Sequence, residues 1–312
     1  MREPSFHSRR GFLQACGLAA LAIGTPLRAA SIGTQPATCW SRSIGSGRPI
    51  VFLHGWGMDH DYELTDYEPV FEHRPGWRRI YPDLPGMGRT PARANIHNQD
   101  DMLAVVLDFI DATLPGQRFV LAGTSAGGYL ARGVVLRRGH LMDGLLLRVP
   151  MVVAADGSRD VDPFHPLVED QALMARLPEQ QRKELGDVLV QRPAYVQALR
   201  QKLETRILPA LKRSDAAFLS AIRDDPKRYA FSFDVDQLPA PFPAPSLIIA
   251  GHQDENVGYR DSWRLLKNYP RATYTVLDRG RHAMPIDEQA LFRSLVADWL
   301  DRVDEYCATR HV

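Results

Sequence analysis

Residues 119–128 read FVLAGTSAGG, and this stretch decides the fold. An apolar run typical of a buried strand leads directly into Gly-x-Ser-x-Gly, and a helix-like segment follows at once. The glycines at 123 and 127 leave room for a sharp turn and for close strand–helix packing, where a Cβ atom would clash. The pattern predicts that Ser125 is exposed at a helix N-terminus with free N–H groups, as a nucleophile would be. A strand–helix corner with a bystander serine is the alternative that other segments must exclude.

A second apolar run, residues 49–53, ends in the sequence HGWG at 54–57. Acyl transfer puts negative charge on a carbonyl oxygen, which then needs two fixed hydrogen-bond donors. The candidates for this oxyanion hole are the backbone N–H of Ala126, directly after Ser125, and the backbone N–H of Trp56. By itself the segment would be a plain Gly-rich turn, but together with the serine turn it favours an acyl-transfer site.

Two later apolar runs, residues 246–250 and 272–277, each lead into a loop with a candidate catalytic side chain, Asp254 and His282. A serine is a poor nucleophile unless a base takes its proton, and the base must be held in one tautomer by an acid. The order Ser125, Asp254, His282 is one of the common arrangements of such a triad.

Other residues compete for these roles. Glu255 and Asp156 are alternative candidates for the acid, whereas Asp278 is more typical of a surface charge. His252 is the histidine nearest the site in sequence and is a candidate for lining the pocket. The remaining histidines that we interpret as surface or loop residues are His60, His73, His97, His140 and His165.

These motifs, together with DLPGMG at residues 83–88, resemble those of the α/β-hydrolase superfamily. The resemblance runs from about residue 49 to the C-terminus and is interrupted by one insert. It implies an α/β fold in which a mostly parallel sheet is flanked by helices and carries an inserted helical cap. It also implies structural roles for His54 and Asp83, which would orient loops through hydrogen bonds. The motifs are specific to the superfamily and not to any substrate.

The alternation of strand-like and helix-like segments independently predicts a mostly parallel sheet with helices on both faces. A weaker pattern at 39–44 indicates a first edge strand. The predicted strands are 50–53, 79–82, 119–123, 144–149, 247–250 and 272–277, and the predicted helices are 99–114, 129–138 and 288–306.

The strand pattern stops between residues 151 and 245, where we predict a helical cap with helices at 178–190, 194–208 and 215–224. The hydrolase core would then consist of residues 31–150 and 246–312. A lid at this position would shape a pocket and exclude water from it. The candidate pocket-lining residues are Trp56, Met58, Tyr129, Phe231, Phe233 and Met284.

The N-terminal segment carries a separate signal. Residues 8–14 read SRRGFLQ, a short apolar stretch follows at 15–24, and Ala29 and Ala30 offer a cleavage point. Paired arginines, an apolar region and small residues are typical of a twin-arginine export signal, predicted here over residues 1–30. The stretch is too short and too interrupted to span a membrane. The prediction is a protein recognised by the twin-arginine export machinery and delivered to the periplasm or the medium.

Bulk properties narrow the class of partner. The formal net charge of the 312 residues is +1, which gives no argument for nucleic acid or an acidic membrane surface as a partner. No cluster has metal-ligand spacing and no phosphate-binding loop is evident, so neither metal nor cofactor is expected. Removal of the signal would leave Cys39 and Cys307, either bridged or as two separate thiols.

The sequence therefore predicts a serine hydrolase that acts on a small molecule through an acyl-enzyme. A carboxylic ester or lactone is the default substrate. Amide cleavage, as in proline iminopeptidase relatives, and carbon–carbon bond hydrolysis stay open. Relatives that act on epoxides or haloalkanes use a carboxylate nucleophile, which does not fit Ser125. A non-catalytic binding protein of the same fold is a distant alternative, because such proteins usually lack one member of the triad.

Overall fold

The computed structural model describes residues 39–309. These residues form a seven-stranded sheet with helices packed against it. The strands are β1 (Ser41–Ile44), β2 (Arg48–Leu53), β3 (Trp77–Pro82), β4 (Phe119–Thr124), β5 (Met142–Arg148), β6 (Ser246–Gly251) and β7 (Ala272–Leu277). The α-helices are α1 (His60–Phe71), α2 (Gln99–Thr113), α3 (Ala126–Arg138), α4 (Gln171–Arg176), α5 (Glu179–Leu185), α6 (Pro193–Lys202), α7 (Leu208–Arg213), α8 (Ala216–Arg223), α9 (Pro226–Tyr229), α10 (Tyr259–Trp263) and α11 (Gln289–Thr309).

The strand order is β1-β3-β2-β4-β5-β6-β7, with β1 antiparallel to β3 and every other neighbouring pair parallel. All six residues of β4 are buried. A parallel strand in the middle of the sheet is covered on both faces, which is why its sequence is a nearly continuous apolar run. The register pairs Leu53 with Gly123 and Gly123 with Leu147, so β2, β4 and β5 end at one edge of the sheet. The predicted fold class is confirmed, including the edge strand at the N-terminal end of the described chain.

Local sequence explains where the flanking helices begin. The Asn98 side chain accepts a hydrogen bond from the N–H of Asp101 and caps α2, and Asp59 caps α1 in the same way. Helix α1 was not predicted, and Pro69 lies inside it. It packs against α11, while α2 packs against α3. The main hydrophobic core lies between these helices and the sheet.

The chain between β5 and β6, residues 151–245, is termed the insert. It contributes α4 to α9 and no strand of the seven-stranded sheet. The predicted helix at 194–208 is instead α6, a π-helical segment at Leu203–Ile207, and α7. The predicted helix at 178–190 is the shorter α5. The proposed domain boundaries stay predictions.

The insert packs in two ways. Apolar residues between Leu185 and Ile207 form a second hydrophobic cluster, separate from the main core. The buried residues of this cluster that come from outside the insert are Tyr62 and Ile286. Leu219, Ile222 and Tyr229 belong instead to the main core of the sheet. The first part of the insert is therefore packed independently of the sheet, and the second part is not.

The two cysteines whose pairing the sequence left open lie near the two ends of the described chain. Cys39 and Cys307 are both buried free thiols, and burial raises their pKa to about 12 and about 11. The predicted export signal lies outside the described residues. Between residues 39 and 309, no helix has the length and apolar character needed to cross a bilayer.

Candidate active site

Ser125 lies on a strained turn between β4 and α3. Its φ is 54°, a left-handed value that a residue with a side chain rarely adopts, and its carbonyl accepts the N–H of Tyr129 in the first turn of α3. A Cβ atom on Gly127 would overlap the carbonyl groups of Leu53 and His54 at the end of β2. Glycine is therefore required there for α3 to pack closely against the end of β2, as the sequence pattern predicted.

Three polar side chains form a hydrogen-bonded series at this edge of the sheet. The Ser125 Oγ is 2.9 Å from the Nε2 of His282, and the Nδ1 of His282 is 2.9 Å from the Oδ2 of Asp254. The other carboxylate oxygen of Asp254 accepts the N–H groups of Asn256 and Val257 at 2.8 and 3.0 Å. Because an ionised carboxylate only accepts, Nδ1 of a neutral His282 donates to it and Nε2 is left to accept the serine proton.

The loop after β2 passes beside Ser125. A Cβ atom on Gly55 would lie 3.4 Å from the Cβ of Ser125 and 3.9 Å from its Oγ. The N–H groups of Trp56 and Ala126 donate no hydrogen bond to any acceptor in the described part of the chain. The two predicted donors therefore flank Ser125 with their N–H groups uncommitted.

A pocket of about 130 Å³ opens at Ser125 and His282. Trp56 and Met58 line it, as predicted. The prediction was wrong for Tyr129, Phe231 and Phe233, whose rings stack on one another in the main core, and for Met284, which is buried. Most of the apolar wall comes from the insert, namely Leu185, Tyr195, Leu199, Ile207 and Leu211.

The alternative acids have other partners or lie at the surface. Glu255 forms an ion pair with Arg281, and Asp156 forms one with Arg159 at 2.7 Å. Asp278 is exposed on the turn after β7. His252, proposed as a pocket residue, is exposed and does not line the pocket.

His54 and Asp83 have the structural roles that the resemblance implied. His54 is fully buried, with Nδ1 2.8 Å from the carbonyl of Gly55 and Nε2 accepting the N–H of Leu84, and burial lowers its pKa. Burial opposes the charged form of Asp83, but hydrogen bonds from His60 and Arg89 keep its pKa below the usual value. His60, predicted to be a surface or loop residue, is instead the first residue of α1 and is buried against Asp83 at 2.9 Å.

A buried group of charges lies behind the turn and was not predicted. Arg148, the last residue of β5, contacts Glu63 at 2.9 Å and Asp66 at 2.6 Å on α1. Lys202 of the insert contacts Asp66 at 2.8 Å. We term Arg148, Glu63, Asp66 and Lys202 the ionic cluster. Its signal in the sequence is one arginine in an apolar strand, because a buried charge must be paired.

The ionic cluster reaches the residue before Ser125. The Oγ1 of Thr124 accepts a hydrogen bond from Arg148 Nε at 3.0 Å and donates one to Glu63 Oε2 at 3.0 Å. Burial raises the pKa of Glu63 to about 7, although the Arg148 guanidinium opposes the shift. The cluster therefore fixes the end of β4, α1 and the insert relative to one another.

No group of three or more His, Cys, Asp or Glu side chains in residues 39–309 is arranged to hold a metal ion. At the pocket a hydroxyl, an imidazole and a carboxylate are aligned, and this arrangement is chemically able to carry out acyl transfer.

Comparison with known proteins agrees with the fold. The profile of the alpha/beta hydrolase fold matches residues 48–289. The AB hydrolase superfamily protein YisY of Bacillus subtilis is 27% identical over 269 residues, covering 85% of this chain and 96% of that protein. The 2-hydroxy-6-oxo-2,4-heptadienoate hydrolase of Pseudomonas putida is 26% identical over 267 residues, covering 84% and 92%.

Among solved structures, an alpha/beta superfamily hydrolase from Oenococcus oeni superposes with a TM-score of 0.75 at 25% identity, covering 86% of this chain and 97% of that one. Family and relatives together indicate a hydrolase. The chain belongs to the alpha/beta hydrolase fold family.

Proposed function

We propose that the protein is a serine hydrolase that cleaves a carboxylic ester or lactone through an acyl-enzyme. The observation that carries the proposal is the series Ser125–His282–Asp254, with both hydrogen bonds at 2.9 Å, beside a largely apolar pocket that Ser125 and His282 line. A hydroxyl aligned with a base that is itself held by a carboxylate is the arrangement that activates a serine.

The proposed reaction has two halves. The Oγ of Ser125 attacks the carbonyl carbon while its proton passes to Nε2 of His282, and Asp254 stabilises the imidazolium. The N–H groups of Trp56 and Ala126 hold the oxygen that becomes negative. His282 then returns the proton to the departing alcohol, and the acyl group stays on Ser125. A water molecule, deprotonated by His282, releases the carboxylic acid and restores the serine.

The pocket can hold a small acyl group. Its volume is about 130 Å³, and an engineered apolar cavity of about 150 Å³ in another protein holds one benzene molecule. A short aliphatic or single-ring acyl group therefore fits inside it. An ester or lactone is favoured over an amide because an alcohol is the better leaving group.

Carbon–carbon bond hydrolysis is the second candidate. It is favoured by the Pseudomonas putida relative, whose stated substrate, 2-hydroxy-6-oxo-2,4-heptadienoate, is a keto acid with no ester or amide bond. The same serine, base and oxyanion donors would act at the ketone. Conversion of a 6-oxo-dienoate with no turnover of any ester would favour this candidate.

The test is the intact mass of the protein after exposure to a fluorophosphonate, with Ser125→Ala beside it. One adduct on the wild type and none on the variant is the expected result. A panel of short-chain esters, lactones and aminoacyl amides then identifies the bond, and esters or lactones are expected to be the fastest. A folded wild-type protein that takes no adduct and turns over no member of the panel would contradict the proposal.

We also propose that the protein is exported by the twin-arginine route. The support is the sequence SRRGFLQ at residues 8–14, followed by an apolar stretch. Replacing both arginines with lysine in the full-length chain is expected to keep the protein in the cytoplasm of a producing bacterium. Unchanged export after that replacement would contradict the proposal.

A further inference from the structure

One wall of the pocket is positively charged, and it is built from the insert. Arg159, Arg223 and Tyr229 line the same pocket as Ser125 and His282. Arg223 is the last residue of α8 and Tyr229 is the last residue of α9, so two short helices end at this wall.

The charges along this wall do not balance. Arg159 and Arg223 share a single carboxylate, Asp156, at 2.7 and 3.8 Å, and the Asp156 side chain is 62% exposed. The other pocket cation, Arg281, is paired with Glu255 through two of its nitrogens. Two guanidinium groups against one solvated carboxylate leave an excess of one positive charge.

The excess charge is available at Arg223. Arg159 is fixed in place, because its nitrogens also donate to the carbonyls of Val153, Ala154 and Asn256. Arg223 has only the 3.8 Å contact with Asp156 among the ion pairs of residues 39–309, and its side chain is 27% exposed. A guanidinium with most of its N–H donors uncommitted can hold two carboxylate oxygens at once.

Tyr229 places a second donor beside Arg223. Its ring packs edge-on against the ring of Trp56, with centroids 5.2 Å apart, so it lies next to the loop that borders Ser125. The Tyr229 hydroxyl makes no hydrogen bond within the described chain. Burial raises the pKa of Tyr229, while Arg223 and Arg159 oppose the shift, so the phenol stays a neutral donor near pH 7.

We propose that Arg223 and Tyr229 bind a carboxylate on the substrate, so that the protein prefers an ester or lactone that carries a second, ionised carboxyl group. This inference rests on the proposed serine hydrolase function and adds the class of substrate. The apolar wall would hold the short carbon chain that separates the ester from the carboxylate.

The test compares two series of esters that differ only in charge. Monoethyl esters of succinic, glutaric and adipic acid carry a terminal carboxylate, and the matching ethyl ester carboxamides have nearly the same shape without the charge. At one chain length the wild type is expected to show a kcat/KM for the carboxylate ester about tenfold or more above that for the carboxamide, since a charged hydrogen bond contributes that much. Arg223→Gln is expected to bring the ratio close to one.

Two variants sharpen the result. Tyr229→Phe keeps the ring against Trp56 and removes only the hydroxyl, so the ratio is expected to fall by less than in Arg223→Gln. Arg228→Gln is the matched control for the loss of an arginine. Arg228 lies on α9 beside Tyr229, is half exposed and does not line the pocket. It is expected to leave the ratio unchanged.

A binding experiment separates this inference from the proposed function. Calorimetry on Ser125→Ala measures the affinity for the monoethyl esters without turnover, and tighter binding of the carboxylate than of the carboxamide is expected. Equal affinities, or no binding of either compound, would overturn the inference. A wild-type protein that takes no fluorophosphonate adduct and turns over no ester, but still binds the carboxylate compound more tightly, would overturn the proposed function alone.

Discussion

Two networks of polar side chains meet at the end of β4. The ionic cluster contacts Thr124, and the series Ser125–His282–Asp254 begins at the next residue. The ionic cluster behind Thr124 is sealed: the Arg148 side chain is 0% exposed and its charge is compensated on several sides. The series on Ser125 is open, because the His282 side chain is 29% exposed and lines the pocket. The contrast shows that charges which hold the structure are enclosed by partners, whereas groups placed for reaction keep one side free.

The largest effect, a loss of kcat, is expected from changing the open series Ser125–His282–Asp254. Ser125→Ala is expected to lower kcat by a factor on the order of 10⁶, because no other hydroxyl in residues 39–309 is hydrogen-bonded to His282. The urea midpoint is expected to stay close to that of the wild type. Ester hydrolysis and urea unfolding monitored by fluorescence test both statements, and a large loss of stability would break the comparison.

The second prediction concerns the acid of the series. Asp254→Asn is expected to lower kcat by about 10⁴-fold, because the amide no longer holds His282 in the required tautomer. Asp278→Asn is the control, since that carboxylate is exposed and was an alternative candidate from the sequence. Kinetics on both variants decide the matter, and equal losses would remove Asp254 from its proposed role.

Substitutions in the ionic cluster, the sealed network, are expected to change the stability of the fold. Arg148→Met leaves Glu63 and Asp66 buried without their main partner, so the free energy of unfolding is expected to fall by about 3–5 kcal/mol. Arg200→Met breaks an exposed helical ion pair with Glu204 and is expected to change stability too little to measure. Urea unfolding at pH 8 compares the two, and similar losses would show that the ionic cluster contributes no more than a surface pair.

The smallest predicted effect is a pH dependence of stability. The pKa of Glu63 is raised by burial from 4.5 to about 7. Between these values the unfolded chain has lost the proton and the folded chain still holds it, so stability falls as pH rises through this window and levels off above it. Glu63→Gln is expected to flatten this slope, as measured by urea unfolding between pH 5 and about pH 8. An unchanged slope would assign the dependence to other groups.

The sheet and the open group could be predicted because their signals are local. Strands β2, β4 and β6 are largely apolar runs, and Ser125, Asp254 and His282 each follow a strand at the same edge of the sheet. The ionic cluster could not be predicted as a whole, because its members come from β5, α1 and α6 and are joined only by tertiary packing. The same holds for Tyr129 and Phe231, whose aromatic character suits a pocket or a core equally well.

The points at which the helices of the insert are interrupted also could not be predicted from the sequence. The break of the predicted 194–208 helix at Leu203–Ile207 occurs within a segment of ordinary helix-forming residues, apart from the nearby Pro209. Pro209 has no N–H to donate to the carbonyl of Thr205, which interrupts the regular hydrogen-bond spacing, but the sequence does not indicate that the interruption takes the form of a π-helical segment.

The two packing modes of the insert have an evolutionary consequence. Residues in separate clusters contribute to stability almost independently. The apolar side chains between Leu185 and Ile207, which supply most of the apolar wall, can therefore exchange size and shape in descendants of this protein without disturbing the sheet. Tyr229 is tied to the main core and has less freedom to vary. We expect lineages that diverge from this protein to change the length of chain they accept before they change the charge they recognise.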